Sequence, residues 1–323
     1  MTTALFNRTA CFGKATLPSE ATRQALASII GIPFDCGTHE FRIGSRQGPD
    51  SIREQSRLLR AFNVTETGPQ AQPSAFLALT DLGNVRCIPG DVGYSFGQIE
   101  LAVSSVHASG AMSISMGGDG AVTLPQLRAV SKHHRDLVVL HFDAHTDTYD
   151  MEGFNTATTF TRAAEEGLID TTRSFHIGAR GTTFMSNVLD FGSSKGFNIV
   201  TFDQYRGRDQ HWLSVIRERV GNRPVYLCFD MDVFDPSVAP GVCTPEWGGL
   251  SALEGLTLLR SLAGLNFVAF DVNTVSPPHD HAGATAYLAA TVMNEFCSLA
   301  AQTVLRFPER FAQATAQAEK EQA

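Results

Sequence analysis

His141-Phe142-Asp143-Ala144-His145-Thr146-Asp147 sets carboxylates and an imidazole at alternate positions, and Asp230-Met231-Asp232 supplies a second carboxylate pair far downstream. Carboxylate oxygens with imidazole nitrogens suit hard or borderline divalent cations such as Mn²⁺ or Ni²⁺. An ion so held lowers the pKa of a coordinated water toward neutrality, which is the chemistry of metal-assisted hydrolysis. The metal-ligand candidates are therefore Asp143, His145, Asp147, Asp230 and Asp232. Aspartates at strand ends also cap helices and brace loops, so the same residues have a purely structural reading.

Both segments follow apolar runs, Leu137–Leu140 and Val225–Cys228, that read as buried parallel strands. Further strand-like runs are Ala27–Ile32, Met112–Met116, Ser174–Ile177, Asn198–Phe202 and Phe267–Asp271. Helix-like stretches such as Leu124–Lys132 and Leu250–Ala263 lie between them. Alternation of this kind predicts an α/β fold with a mainly parallel sheet between two helical layers. In such folds ligands sit beyond the carboxyl ends of the strands, where both acidic segments and Gly117-Gly118-Asp119-Gly120 fall. That glycine stretch lacks the lysine and spacing of a phosphate loop.

The chain has 323 residues, 43% of them hydrophobic and 18% charged, enough for one large domain with a sizeable core. Its net charge of −8 and the lack of a Lys/Arg cluster argue against nucleic acid as a partner. Six cysteines without a CxxC pair give neither a zinc site nor a disulfide framework. The N-terminus has no signal-like pattern and no apolar run is long enough to span a membrane, so a cytoplasmic protein is expected. The first twenty or so residues and Gln313–Ala323 are expected to fray. His133-His134, in a polar connection, is expected to be solvated.

An ordered set of motifs runs through the chain: Gly31-Ile32-Pro33-Phe34-Asp35, Gly44-Ser45-Arg46-Gln47-Gly48-Pro49, Ile52-Arg53, Asp81-Leu82-Gly83 and Gly117-Gly118-Asp119. The two acidic segments, Ala239-Pro240-Gly241 and Thr244-Pro245-Glu246 follow. From about residue 28 to 305 this set resembles the ureohydrolases, the arginase and agmatinase family. The resemblance implies a three-layer α/β/α, arginase/deacetylase-like fold, with an extension at 1–27, the domain at 28–308 and a polar tail at 309–323. It implies trimers or hexamers, and hydrolysis of a guanidinium C–N bond by a hydroxide between two metal ions. Carried over, Asp143 and Asp230 would bridge the ions, His145 and Asp232 would complete one site, and Asp147 would belong to the other.

Three positions depart from that pattern. Where the family has a histidine ligand after Gly-Gly-Asp, this chain has Gly120; Thr156 stands near the family's proton-shuttle histidine, and Thr274 where a glutamate pairs with the substrate. Metal ligand, proton shuttle and substrate anchor are thus all absent, and no catalytic residue is assigned to this chain. His279 and His281, in the loop after Thr274, are candidate substitutes. The expectation is an accessory, non-catalytic subunit of a hetero-oligomer, a hexamer by resemblance, with Ni or Mn held by a paralogous catalytic ureohydrolase subunit. The alternative is a stand-alone hydrolase of a guanidine or amidine using one ion at Asp143, His145, Asp230 and Asp232. A ligand-binding sensor is a third reading.

Overall fold

Alternating apolar residues build one sheet with a core on each face. In the strand Val138–Phe142, Val138, Leu140 and Phe142 join one core, whereas Val139 joins the other. The computed structural model describes residues 5–36, 39–64, 66–207 and 211–312. Its nine strands are β1 (Phe6–Asn7), β2 (Ala27–Gly31), β3 (Thr80–Val85), β4 (Met112–Met116), β5 (Val138–Phe142), β6 (Phe175–Ala179), β7 (Asn198–Thr201), β8 (Pro224–Asp230) and β9 (Asn266–Asn273). They lie in the order β1-β3-β2-β4-β9-β8-β5-β6-β7, and every pairing except β1 with β3 is parallel.

Ile52 from the helix Gly48–Ser56 and Phe296 from the helix Ala284–Arg306 fill the first core. Phe96 and Val103 from Val92–Ala108 and Leu127 from Thr123–His133 fill the second. The fold is therefore three-layer α/β/α, as the sequence predicts. The chain passes from β4, on one side of the sheet, to β5 on the other, and β8 and β9 close the gap between them. The carboxyl ends of these four central strands form the crevice into which the acidic segments project.

The helix expected at Leu250–Ala263 is shorter, Ala252–Ser261. Ser251 caps it: its Oγ accepts from Glu254 N at 3.2 Å, and Glu254 returns by accepting from Ser251 N at 2.8 Å. Leu250 instead bridges to Phe234.

The expected fraying of the first twenty or so residues does not hold for residues 5–20. Phe6 pairs with Val85, and Phe12 and Ala15 are buried in the core. Phe12 N donates to the buried Asp81 carboxylate at 2.8 Å. Close approach of β1 to β3 requires Gly83, with φ 90°, since a Cβ there would lie 2.2 Å from the Asn7 carbonyl oxygen. At the other end Pro308–Phe311 forms a turn whose Phe311 is buried, so packing extends past the expected boundary at 308; Gln313–Ala323 lies outside the described residues.

His133 is exposed, as expected, whereas His134 is half-buried. His134 Nε2 lies 3.1 Å from His107 Nδ1, His107 Nε2 lies 3.1 Å from Ser113 Oγ, and His133 Nε2 lies 3.0 Å from Ser104 Oγ. Burial, aided by Arg310, pushes His134 down to about 4, and burial with the two neighbouring imidazoles holds His107 well below its ordinary value. The unfolded chain therefore binds more protons than the folded one once pH falls below about 6.5, so this contribution is lost progressively toward pH 4. Urea unfolding of the parent and of His134→Gln should show the parent losing ground to the variant between pH 7 and pH 5, by up to about 1.4 kcal/mol per pH unit for each proton. A constant difference across that range would contradict the assignment.

Candidate metal centre

Four strand ends deliver the site. After β4, Gly118 passes so close to Phe34 that a Cβ would lie 1.5 Å from its carbonyl oxygen. This fixes Asp119, whose carboxylate accepts from Cys36 N at 2.6 Å and Ala121 N at 3.2 Å. Burial raises Asp119 to about 7, against those two N–H donors and with help from Asp35.

After β5, Asp143 is buried, and its Oδ1 accepts from His145 N at 2.6 Å. His141 Nε2 lies 2.9 Å from Asp143 Oδ2, and His141 Nδ1 lies 2.8 Å from His176 Nδ1 on β6. Burial would raise Asp143, but His141 and His145 outweigh it and hold the carboxyl well below its usual range. His145 Nδ1 lies 3.2 Å from Asp143 Oδ1 and 3.1 Å from Asp232 Oδ2. Burial alone would lower this imidazole; Asp232 and Asp143 raise it well above its ordinary value instead.

After β8, the Asp232 carboxylate is fixed by Ala144 N at 3.1 Å and by the Thr244 hydroxyl at 2.9 Å. Asp230 Oδ1 accepts from Asp232 N at 2.8 Å and from the Thr274 hydroxyl. Burial and the adjacent carboxylates of Asp232 and Asp143 raise Asp230 well above its ordinary value, and burial with Asp143 does the same for Asp147. Thr274, just beyond β9, holds φ at 64°, and Asp147 holds 49°. A left-handed backbone is costly for a β-branched residue, on the order of 1–3 kcal/mol, and such strain concentrates at functional sites. Gly118 O and Ser45 hold the Thr274 backbone in place, accepting from its N–H at 2.7 Å and donating to its carbonyl at 3.3 Å respectively.

Among the described residues, Asp143, His145 and Asp232 offer ligand atoms within 4.8 Å of one another, and so do His141, Asp143 and Asp147. The first set fits one divalent ion, with Thr244 and Ala144 N orienting Asp232. The second is a poor match, because both ring nitrogens of His141 are engaged by Asp143 and His176. Asp230 belongs to neither set. The space at Gly120 is tight: a Cβ there would lie 2.9 Å from both Asp147 Oδ2 and Thr156 Cγ2, so any side chain requires those two to shift. His279 Nδ1 pairs with Ser276 Oγ at 2.8 Å and His281 is exposed, so neither substitute histidine joins the clustered ligands.

The residues present therefore fit one ion better than two. Uptake of Mn²⁺ or Ni²⁺, followed by calorimetric titration, should saturate at no more than one ion per chain and raise the melting temperature by linkage. Gly120→His should not add a second ion and should destabilise the chain by about 1–3 kcal/mol through overpacking against Asp147 and Thr156. Two bound ions in the parent would contradict this assignment.

In front of the acidic cluster lies a cleft of about 370 Å³ lined by His145, Asp147, His39, Tyr149, Phe184 and Glu246. A larger cavity, about 510 Å³, lies elsewhere, against β1 and β3, away from these carboxylates. The grouping of ligand residues locates the chemistry at the smaller one. The His141–His176 pair was not foreseen, although alternation along β5 puts His141 on the face of Asp143. His39 lies in a loop with no periodic signal.

The arginase family model matches residues 25–298. The chain is 38% identical over 296 residues to guanidinopropionase of Pseudomonas aeruginosa, covering 90% of this chain and 92% of that one. It is 39% identical over 275 residues to agmatinase of Photorhabdus laumondii, covering 84% and 86%. The structure of proclavaminate amidino hydrolase from Streptomyces clavuligerus superposes with a TM-score of 0.85 at 33% identity, covering 92% of this chain and 99% of that one. A strained turn at Thr274, a glycine-lined approach to Asp119 and paired aspartates after β5 and β8 thus sit on a fold matched along almost its whole length, and the chain belongs to the arginase family.

Proposed function

We propose that this chain is an accessory subunit of a heteromeric, metal-dependent ureohydrolase, in which a paralogous subunit carries the complete metal site. The observation that carries the reading is Gly120, which offers no donor atom and where a Cβ would press on the side chains of Asp147 and Thr156. Thr274 adds to it, since its hydroxyl is spent on Asp230 and cannot replace a carboxylate that pairs with a guanidinium. Packing motifs persist beside these losses: Arg53 and Asp81 form a buried bidentate pair, and Pro245 stays in the cleft wall. The pattern resembles the accessory subunit of nickel-dependent metformin hydrolase, so the substrate proposed for the complex is metformin, hydrolysed to guanylurea and dimethylamine.

An ion bound at Asp143, His145 and Asp232 would supply Lewis acidity and an acidified water. The chain's own residues set up that position: His176 and His141 brace Asp143, and Thr244 holds Asp232. Thr156 and Thr274 themselves offer neither an imidazole nor a carboxylate to the cleft.

A second reading, a stand-alone guanidine hydrolase working through one ion, is favoured by the intact Asp143–His145–Asp232 set. It is also favoured by the relatives, which are named as guanidino and agmatine hydrolases. Expression of the paralogue with and without this chain separates the readings. The accessory role predicts that the paralogue alone assembles poorly or turns over weakly; full activity and assembly without this chain would remove the case for it.

A further inference from the structure

The cavity against β1 and β3 lies outside the acidic site and has its own chemistry. Its volume, about 510 Å³, falls in the range of small-molecule sites. Phe6, Leu17, Pro18 and Leu82 supply apolar wall, while the exposed Arg8 and Arg86 line it with side chains that make no ion pair or hydrogen bond with the described residues. The one carboxylate in the lining is already committed. Asp81 accepts from Arg53 Nε and Nη2, Gly83 N and Phe12 N, all at 2.8–2.9 Å, so its charge is matched inside the fold. The free charge facing the cavity is therefore positive, on a chain whose net charge is −8.

We propose that this cavity binds a small organic carboxylate, its apolar body against Phe6, Leu17 and Leu82 and its carboxylate within reach of Arg8 and Arg86. Guanidinium groups match carboxylates bidentately, and the apolar walls select an anion with a hydrocarbon body over a hydrated inorganic one. The floor is preformed, since Gly83 lets β1 pack directly on β3 and Asp81 ties Phe12 to the sheet.

The test is calorimetric titration of the full chain, in its native assembly, with 4-phenylbutyrate and with the neutral 4-phenylbutyramide. Saturable binding of the carboxylate with a Kd on the order of 1–10 mM is expected for a ligand of this size, and weaker binding of the amide. Arg8→Met and Arg86→Met should each weaken carboxylate binding by about tenfold. Ser19→Trp, at an exposed position on the rim, should abolish binding and leave melting temperature and assembly mass unchanged. No saturable binding, equal binding of acid and amide, or indifference to both arginine substitutions would overturn the proposal. So would a change of assembly mass in the Ser19→Trp protein, which would mark the cavity as a subunit contact.

Discussion

The proposed accessory role predicts that Asp232→Asn in this chain, assembled with a metal-complete paralogue, leaves metformin turnover by the complex within about twofold of the parent. The matching substitution in the paralogue lowers it on the order of 10²-fold or more. The contrast follows from where the missing groups lie. Asp232 is a buried ligand candidate fixed by Thr244 and Ala144 N, so its loss strips whatever ion this chain holds. If turnover depended on that ion, the complex would fail. The geometry argues that it does not, because Gly120 cannot be elaborated without displacing Asp147 and Thr156, and Thr274 offers only a hydroxyl, directed at Asp230. Steady-state rates of the two singly substituted complexes, with assembly confirmed by mass, check the prediction. A large loss caused by the change in this chain would favour the one-ion hydrolase instead.

Asp81→Ala is the largest stability effect expected, a loss of about 3–5 kcal/mol in urea unfolding. Arg53 and Asp81 are each 1% exposed and joined by two 2.9 Å bonds, with Asn84 Oδ1 accepting from Arg53 at 2.5 Å. Removing the carboxylate leaves a guanidinium in the interior without its counter-ion. It also orphans Phe12 N and Gly83 N, which donate to Asp81 at 2.8 and 2.9 Å. The double change Arg53→Met with Asp81→Leu removes both charges and should be milder than Asp81→Ala alone, because the unpaired buried charge no longer exists. A single variant as stable as the parent, or a double variant worse than the single, would contradict this account.

Periodicity and motif order made most of the architecture legible. The continuous apolar runs at Val138–Phe142 and Val225–Phe229 are buried on both faces, which only a covered parallel sheet provides. β3 escaped because Thr80-Asp81-Leu82-Gly83-Asn84 is polar and broken by glycine; it is a strand because Arg53, far away in sequence, neutralises Asp81. β1 escaped for the same reason, since its two residues are held by a partner and not by their own propensity. Clustering of Asp143, His145 and Asp232 follows from two adjacent parallel strands ending together, whereas the bond from the Thr274 hydroxyl to Asp230 has a direction no spacing encodes. The three-histidine contact at His107, His133 and His134 joins the ends of two helices and was invisible to a reading along the chain. Among the described residues no helix is long and apolar enough to cross a membrane.

The most direct test is metal content and metformin hydrolysis by the purified chain, measured alone and again after co-purification with an intact paralogue. The account predicts no more than one ion and no turnover alone, with nickel- or manganese-dependent turnover in the complex. Metal-dependent hydrolysis by the chain alone, abolished by Asp232→Ala, would contradict it and make this protein an unusual one-ion member of its family.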